Sequence, residues 1–324
     1  MAPALLACAL WLVGGAAPGA EPAAARSGSP PSIETARPGG QSVAEPLLPS
    51  LVIGFSSSVL ADVDLKDAKA ATKLWADVIM RRKNQRVESQ AEIYESEASM
   101  EAALRADLVD FVWLLPKDFL DARDRLPIVP VVISTPLKGL FNEFVLLVRR
   151  DSGIKTLHEL RGKRLALEVE HDGSIPLIWL ETLLMKEGEA ERPRQFFASI
   201  RATRKSSQTV LPVFFGQADA CIVARGAFET MAELNPQLGK ELQAVATSAP
   251  FASAVGSLRK AFYDRYKGQI TTSLELLHDD PQGKQILTLF RQGKLVRFEE
   301  SQLATVEALL KEHQGLLLKR ARRP

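Results

Sequence analysis

The side chains in this sequence best suited to chemistry are hydroxyls, an amide and cations that stand immediately after, or just ahead of, apolar runs. Ser56, Ser57 and Ser58 follow Leu51-Val-Ile-Gly-Phe55, and Arg204-Lys205-Ser206-Ser207-Gln208 opens a second polar-to-apolar transition. Ser174 stands just ahead of a third, at 175–186, while Pro116 and Arg225 follow the apolar runs 111–115 and 220–224. Where a buried strand ends and a helix begins, such groups can hold an oxyanion, because unpaired backbone N–H groups, hydroxyls and guanidinium all donate to negative oxygen. Arg225 is the best single candidate for a clamp, since a guanidinium grips two oxygens at once. Each residue also has a plain structural reading. Serines ahead of helices cap them, and a surface arginine pairs with the nearest carboxylate.

Other chemistries find little support. His158, His171, His278 and His313 are scattered, without the His-Glu-x-x-His spacing of a zinc site. There is no Gly-x-Ser-x-Gly elbow, phosphate-binding loop or dinucleotide fingerprint, so no catalytic assembly is expected and no cofactor. Glu168, Glu170, His171 and Asp172 form an acidic cluster that would suit either a cation or a solvated loop. Cys8 and Cys221 exclude a disulfide framework. A net charge of +2 and the lack of a basic stripe with interleaved aromatics argue against nucleic acid as a partner.

Positioning the candidate groups requires a framework, and the sequence repeats one. Met100-Glu-Ala-Ala-Leu-Arg-Ala-Asp-Leu-Val-Asp110-Phe-Val-Trp-Leu-Leu115 reads as an amphipathic helix, a turn and an aspartate opening a buried strand. About 110 residues later, Thr209-Val-Leu-Pro-Val-Phe-Phe-Gly-Gln-Ala-Asp219-Ala-Cys-Ile-Val-Ala224 has the same form. Continuous apolar runs suit parallel strands covered on both faces, so two α/β lobes are expected, with a ligand in the cleft between them. Asp110 and Asp219 are expected to hold turns rather than ligand. Helices are expected at 66–82, 175–186, 228–234, 275–292 and 302–311, the last two bracing the first lobe.

The apolar stretch 2–17, followed by small residues, reads as a secretory signal ending near residue 25, although no Lys or Arg precedes it. Leu5-Leu-Ala-Cys8 also fits a lipoprotein cleavage box, with ordinary cleavage and a periplasmic protein the favoured reading over lipoprotein tethering. Residues 26–50, rich in Pro, Gly, Ser and Ala, are expected to be a disordered linker.

Residues from Leu51 to roughly Gly256 resemble the phosphonate-type periplasmic substrate-binding proteins of ABC importers. The resemblance rests on Val52-Ile-Gly-Phe55, Tyr94, Val109-Asp-Phe-Val-Trp-Leu-Leu-Pro116, Val148-Arg-Arg-Asp-Ser-Gly-Ile-Lys-Thr-Leu157, Leu160-Arg-Gly-Lys163 and Ser207-Gln-Thr-Val-Leu-Pro-Val-Phe-Phe-Gly-Gln-Ala-Asp219. It implies a type II periplasmic-binding-protein fold of the α/β class, with two mixed or parallel sheets flanked by helices and joined by two crossing strands. Residues 51–142 and 248–324 would then form lobe 1, and 143–247 lobe 2. The resemblance adds Tyr94 and Asn142 to the candidate ligand contacts. It implies an exported monomer that captures a small anion, a phosphorus oxyanion by preference, and passes it to an ABC permease in the inner membrane. A ligand-sensing module for a membrane signalling partner is the alternative, and a periplasmic enzyme a more distant one. Phosphonate, phosphate, phosphite and other oxyanions all remain open as the ligand.

Overall fold

The computed structural model describes residues 50–60, 71, 88–169 and 174–321. The expected signal, nearly all of the linker, the expected helix at 66–82 and the Glu170, His171 and Asp172 part of the acidic cluster lie outside the described residues.

Two mixed sheets form the framework. In the first, β1 (Ser50–Ser56) pairs in parallel with β2 (Glu88–Tyr94) and β3 (Phe111–Leu114). The antiparallel strand β10 (Ala254–Arg259) lies between β3 and β4 (Ile128–Pro136), and β11 (Gln292–Arg297) closes the far edge. The second sheet repeats the plan. There β6 (Arg164–Glu168) pairs in parallel with β7 (Ser199–Thr203) and β8 (Ala220–Ala224). The antiparallel β5 (Phe144–Arg149) lies between β8 and β9 (Leu242–Thr247). In both sheets the antiparallel strand beside the third parallel strand is the one that has just crossed from the other sheet.

The apolar runs are continuous because both faces of each sheet are covered. Phe111 and Trp113 enter the cluster on one face, Val112 and Leu114 that on the other. Ala220 and Ile222 divide from Cys221 and Val223 in the same way, with the period of two that a strand imposes. Cys221 is a free, buried thiol whose pKa is pushed up by burial, so it packs as a small hydrophobe.

The helices that matter for the site begin where these strands end. They are α1 (Glu97–Arg105), α2 (Pro116–Ala122), α3 (Ile175–Lys186), α4 (Ser206–Phe214) and α5 (Arg225–Leu234). The helix expected at 275–292 is instead α6 (Lys260–Glu275) and α7 (Pro281–Leu289), followed directly by β11. Asp280 caps α7 by accepting the N–H groups of Gln282 and Gly283, and Pro281 fits its first turn, so one long helix cannot form there.

The last helix, α8 (Ala304–Ala321), is longer than expected and lies elsewhere. Val306 and Leu309 bury into the cluster of the second sheet, against α3. Leu303, just before it, remains in a cluster of the first sheet. Its neighbours explain the placement: Glu181 of α3 accepts from His313 at 3.0 Å and Arg320 at 2.9 Å.

The two links between the sheets are tied to each other. Asn142 and Phe251 exchange both backbone hydrogen bonds at 2.7 Å, and Asn142 Nδ2 donates to Ser253 Oγ at 2.9 Å. One step further, Phe144 N–H donates to Ser248 Oγ at 2.8 Å and Ser248 N–H to the Phe144 carbonyl at 2.9 Å.

Candidate ligand-binding cleft

A cavity of about 480 Å³ opens between the sheets, at the carboxyl ends of the parallel strands β1, β3, β6 and β8. Ser58 and Val59 reach it from the end of β1, Leu115 from β3, Glu168 and Val169 from β6, and Ala224 from β8. Asn142 and Ser253 form its floor at the paired crossing links.

Two helix starts open directly onto this space. At α4 the cap position is Lys205, which offers no side-chain hydrogen bond to the first turn, and Arg204, Lys205, Ser206 and Ser207 all line the cavity. At α5 the cap is Ala224, again without a side-chain bond, and Gly226 and Ala227 line the cavity. Uncapped helix starts leave N–H donors and partial positive charge for a ligand to satisfy. Such ends are worth about 0.3–1 kcal/mol each when exposed and about 2 when partly buried.

The side chains add charge of the same sign. Lys138, Arg204, Lys205 and Arg291 line the cavity against one carboxylate, Glu168, among the described residues. Lys138 pairs with Glu233 of α5 at 2.6 Å, joining the first crossing link to the second sheet's layer. No carboxylate among the described residues pairs with Arg204 or Lys205. Glu168 Oε1 accepts from the buried Ser206 Oγ at 2.8 Å, which fixes the serine at the first position of α4. The second hydroxyl layer, Thr203 and Thr209, is hydrogen-bonded beneath it, and Thr209 Oγ1 also donates to the Lys205 carbonyl at 3.0 Å.

Of the residues expected from sequence, Ser58, Asn142, Ser206 and Ser207 are brought together on the cavity wall. Ser56 lies one layer behind, its hydroxyl 2.5 Å from that of Ser58. Ser57 is exposed, and its N–H donates to the Tyr94 carbonyl at 2.9 Å, closing the ends of β1 and β2. Tyr94 itself packs half-buried beside Gly54, where a Cβ would lie 2.9 Å from its ring; burial, with help from Glu92, raises its hydroxyl pKa. Pro116 is buried in the first turn of α2, behind Leu115. Ser174 is 2% exposed at the start of α3, and its hydroxyl has no hydrogen-bond partner among the described residues. Gln208 is exposed and does not line the cavity. Arg225 does not line the cavity: its half-exposed guanidinium pairs with Glu143 and, at 3.5 Å, with Glu229.

Sequence reasoning missed the wall supplied by the first lobe's later strands. Pro136 ends β4 and Leu137 and Lys138 follow it, Ala254 opens β10, and Phe290, Arg291 and Gln292 form the corner between α7 and β11. Arg291 adopts φ 54°, the left-handed region that costs a side-chain-bearing residue about 1–2 kcal/mol. Among the described residues no group of three or more His, Cys, Asp or Glu could hold a metal, and no helix is long and apolar enough to cross a membrane.

Two lobes of matching strand order, with a cationic cleft at their strand ends, define a protein that captures a small solute. The model of the family described as "ABC transporter, phosphonate, periplasmic substrate-binding protein" matches residues 58–304, and the chain belongs to that family. No curated protein matches it in sequence. Among solved structures, a binding-protein component of an ABC phosphonate transporter from Pseudomonas aeruginosa superimposes with TM-score 0.62 at 16% identity, covering 84% of this chain and 89% of that one. A Xanthomonas citri protein bound to ATP gives TM-score 0.61 at 19% identity over 82% and 98% of the two chains. PhnD1 from Prochlorococcus marinus, in complex with methylphosphonate, gives 0.59 at 15% identity over 82% and 98%. The fold is that of type II periplasmic binding proteins, and the chain is a solute-binding protein of the ABC-importer kind.

Proposed function

We propose that the cleft captures a small phosphorus-containing oxyanion and that closure of the two lobes delivers it to an ABC permease. The observation that carries this reading is the pair of uncapped helix starts at Lys205 and Ala224, set among four cations and one carboxylate. In this reading Ser58, Asn142 and Ser207 donate side-chain bonds to the ligand and Ser206 its backbone N–H at the start of α4, its hydroxyl being given to Glu168, while Arg204 and Lys205 supply the counter-charge. Ser56 orients Ser58, and Ser174, buried at the start of α3, supplies a further hydroxyl when the lobes close. Tyr94, Ser57, Pro116 and Arg225 support the walls from outside the cavity, and Gln208 lies on the exposed face of α4. Closure bends the paired links at Asn142–Phe251 and Phe144–Ser248. The protein works as an exported monomer, without cofactor, catalysis or nucleic acid.

The test is a thermal-shift screen against phosphate, phosphite, methylphosphonate, sulfate and small carboxylates. A ligand that binds only the folded state adds about 2.7 kcal/mol at 100 times its Kd, a shift of several degrees. A response confined to phosphorus oxyanions is expected. A response to carboxylates alone, or to none of them, would overturn the reading.

A further inference from the structure

A second, smaller cavity adjoins the cleft inside the first lobe. It measures about 40 Å³, above the roughly 10–15 Å³ that a single water needs by the same measure. Its walls are mostly apolar: Phe55 and Trp113 of the sheet, Leu287 of α7, Leu295 of β11, and Phe290, whose ring stacks on Phe55 at 5.7 Å. The Ser134 hydroxyl on its wall already donates to the Ala254 carbonyl, at 3.5 Å. Val59, Ala254, Phe290 and Gln292 belong to both cavities, so the side cavity is entered from the oxyanion cleft itself. At this neck the strained residue Arg291 stands between Phe290, which lines the apolar side, and Gln292, whose Oε1 is buried without a hydrogen-bond partner among the described residues.

We propose that this corner is a specificity subsite and that the ligand is an oxyanion bearing a short apolar substituent, whose hydrocarbon enters the side cavity while its charged head stays in the cleft. The inference rests on the oxyanion reading of the cleft and narrows it. A bare phosphate would leave the apolar chamber empty. A protonated oxygen of a substituted phosphorus acid would satisfy the Gln292 acceptor at the neck. Apart from Gln292 at the neck and the already bonded Ser134, nothing in the wall replaces the water that a charged or strongly hydrated tail would lose. The chamber does reward hydrocarbon, at about fourfold in affinity for each methylene removed from water.

The experiment is calorimetric titration of the full chain with phosphate and with methyl-, ethyl-, n-propyl- and n-butylphosphonate. Kd is expected to fall about fourfold per carbon over the first two or three additions, then level off. Leu287→Phe, which fills the chamber, should abolish that gain and leave methylphosphonate binding in place. Phe290→Ala, at a half-buried wall, should move the best tail length upward and serves if the first variant folds poorly. Binding of phosphate or methylphosphonate with a flat or worsening series overturns the subsite alone, as does a length dependence that survives both substitutions. Silence toward every compound overturns the oxyanion reading and this inference with it.

Discussion

The Asp110 carboxylate accepts the backbone N–H of Val52 at 3.0 Å, and the Asp219 carboxylate accepts that of Arg164 at 2.8 Å. Each aspartate returns its own N–H to the carbonyl of the same residue, at 2.9 Å in both lobes. A guanidinium backs each one: Arg259 holds Asp110 at 2.9 Å, and Arg164 holds Asp219 at 3.0 Å. The repeated aspartate therefore clamps the first parallel strand of each sheet to the third, at the end opposite the cleft. Backbone N–H groups at a strand's beginning lack a ladder partner, and a carboxylate there supplies one at little geometric cost.

Asp219 makes that clamp pH-dependent. Hydrogen bonds from the Arg164 side chain, the largest influence, hold its carboxyl below the ordinary value of 3.8. A depressed folded pKa means that the clamp's stabilisation is complete above the unfolded value and is lost as pH falls through the folded one. Asp219→Asn should cost about 1–2 kcal/mol at pH 7, since the group is partly exposed. In urea denaturation the gap between parent and variant should close progressively below about pH 4. A gap that stays constant down to pH 2 would show that the charge is irrelevant.

The clamp also explains what could be read from the chain alone. Asp110, Asp219 and the apolar runs after them are local signals with a fixed spacing, so the paired lobes and their strand ends were legible. The walls at Ser58, Ser206 and Ser207 followed, because they sit within a few residues of those strand ends. Phe290, Arg291 and Gln292 carry no such mark: β11 reads as Gln-Gly-Lys-Leu-Val-Arg, and only the turn after α7 brings it to the cleft. The last helix was misplaced for a similar reason. Its burial is set by Glu181 and the α3 surface more than a hundred residues away, which its own periodicity does not encode. Arg225 shows the reverse case, in which the residue type fits the chemistry and the structure pairs the guanidinium with a nearby carboxylate, Glu143.

Lys205 and Arg225 should therefore separate in binding. Lys205 lines the cavity at an open helix start, and Lys205→Ala should weaken phosphorus-oxyanion binding by about tenfold, the equivalent of about 1.4 kcal/mol. The variant's affinity should also depend less on salt, because one exposed charge no longer contributes. Arg225→Ala should stay within about threefold of the parent, with stability lowered by no more than about 1 kcal/mol. Titration calorimetry at two ionic strengths decides between them. A large loss with Arg225→Ala would return the guanidinium to the ligand.

The crossing links predict a stability effect at Ser248, a buried residue just past the end of β9. Ser248 Oγ accepts the buried Phe144 N–H at 2.8 Å and donates to the Ala249 carbonyl at 2.7 Å. Ser248→Ala strands that N–H and should cost about 1–3 kcal/mol in urea denaturation. Asn142→Ala removes only the 2.9 Å bond to Ser253 and leaves the paired backbone bonds intact, so it should cost about 1 kcal/mol or less. Equal costs would mean that the side chains, not the backbone pairing, hold the links together.

Glu181 governs how firmly the last helix lies on the second lobe. Burial tends to raise its pKa, yet hydrogen bonds from His313 and Arg320 outweigh it and keep the carboxyl below 4.5. All three side chains are largely buried, and Arg320 Nη1 already lacks a partner among the described residues. Glu181→Ala leaves two donors facing one another without an acceptor and should cost about 2 kcal/mol. The neighbouring pair Lys186–Glu312, at 2.9 Å, is half-exposed, and Lys186→Ala should cost less than about 0.5 kcal/mol. Hydrogen exchange locates the difference. Amides from His313 to the end of α8 should lose protection in Glu181→Ala, while those of β1 and β3 keep theirs. If protection falls equally in the first sheet, the helix is not a separable strap, and its contacts at Arg123 with Glu300 and Glu307 couple it to both lobes.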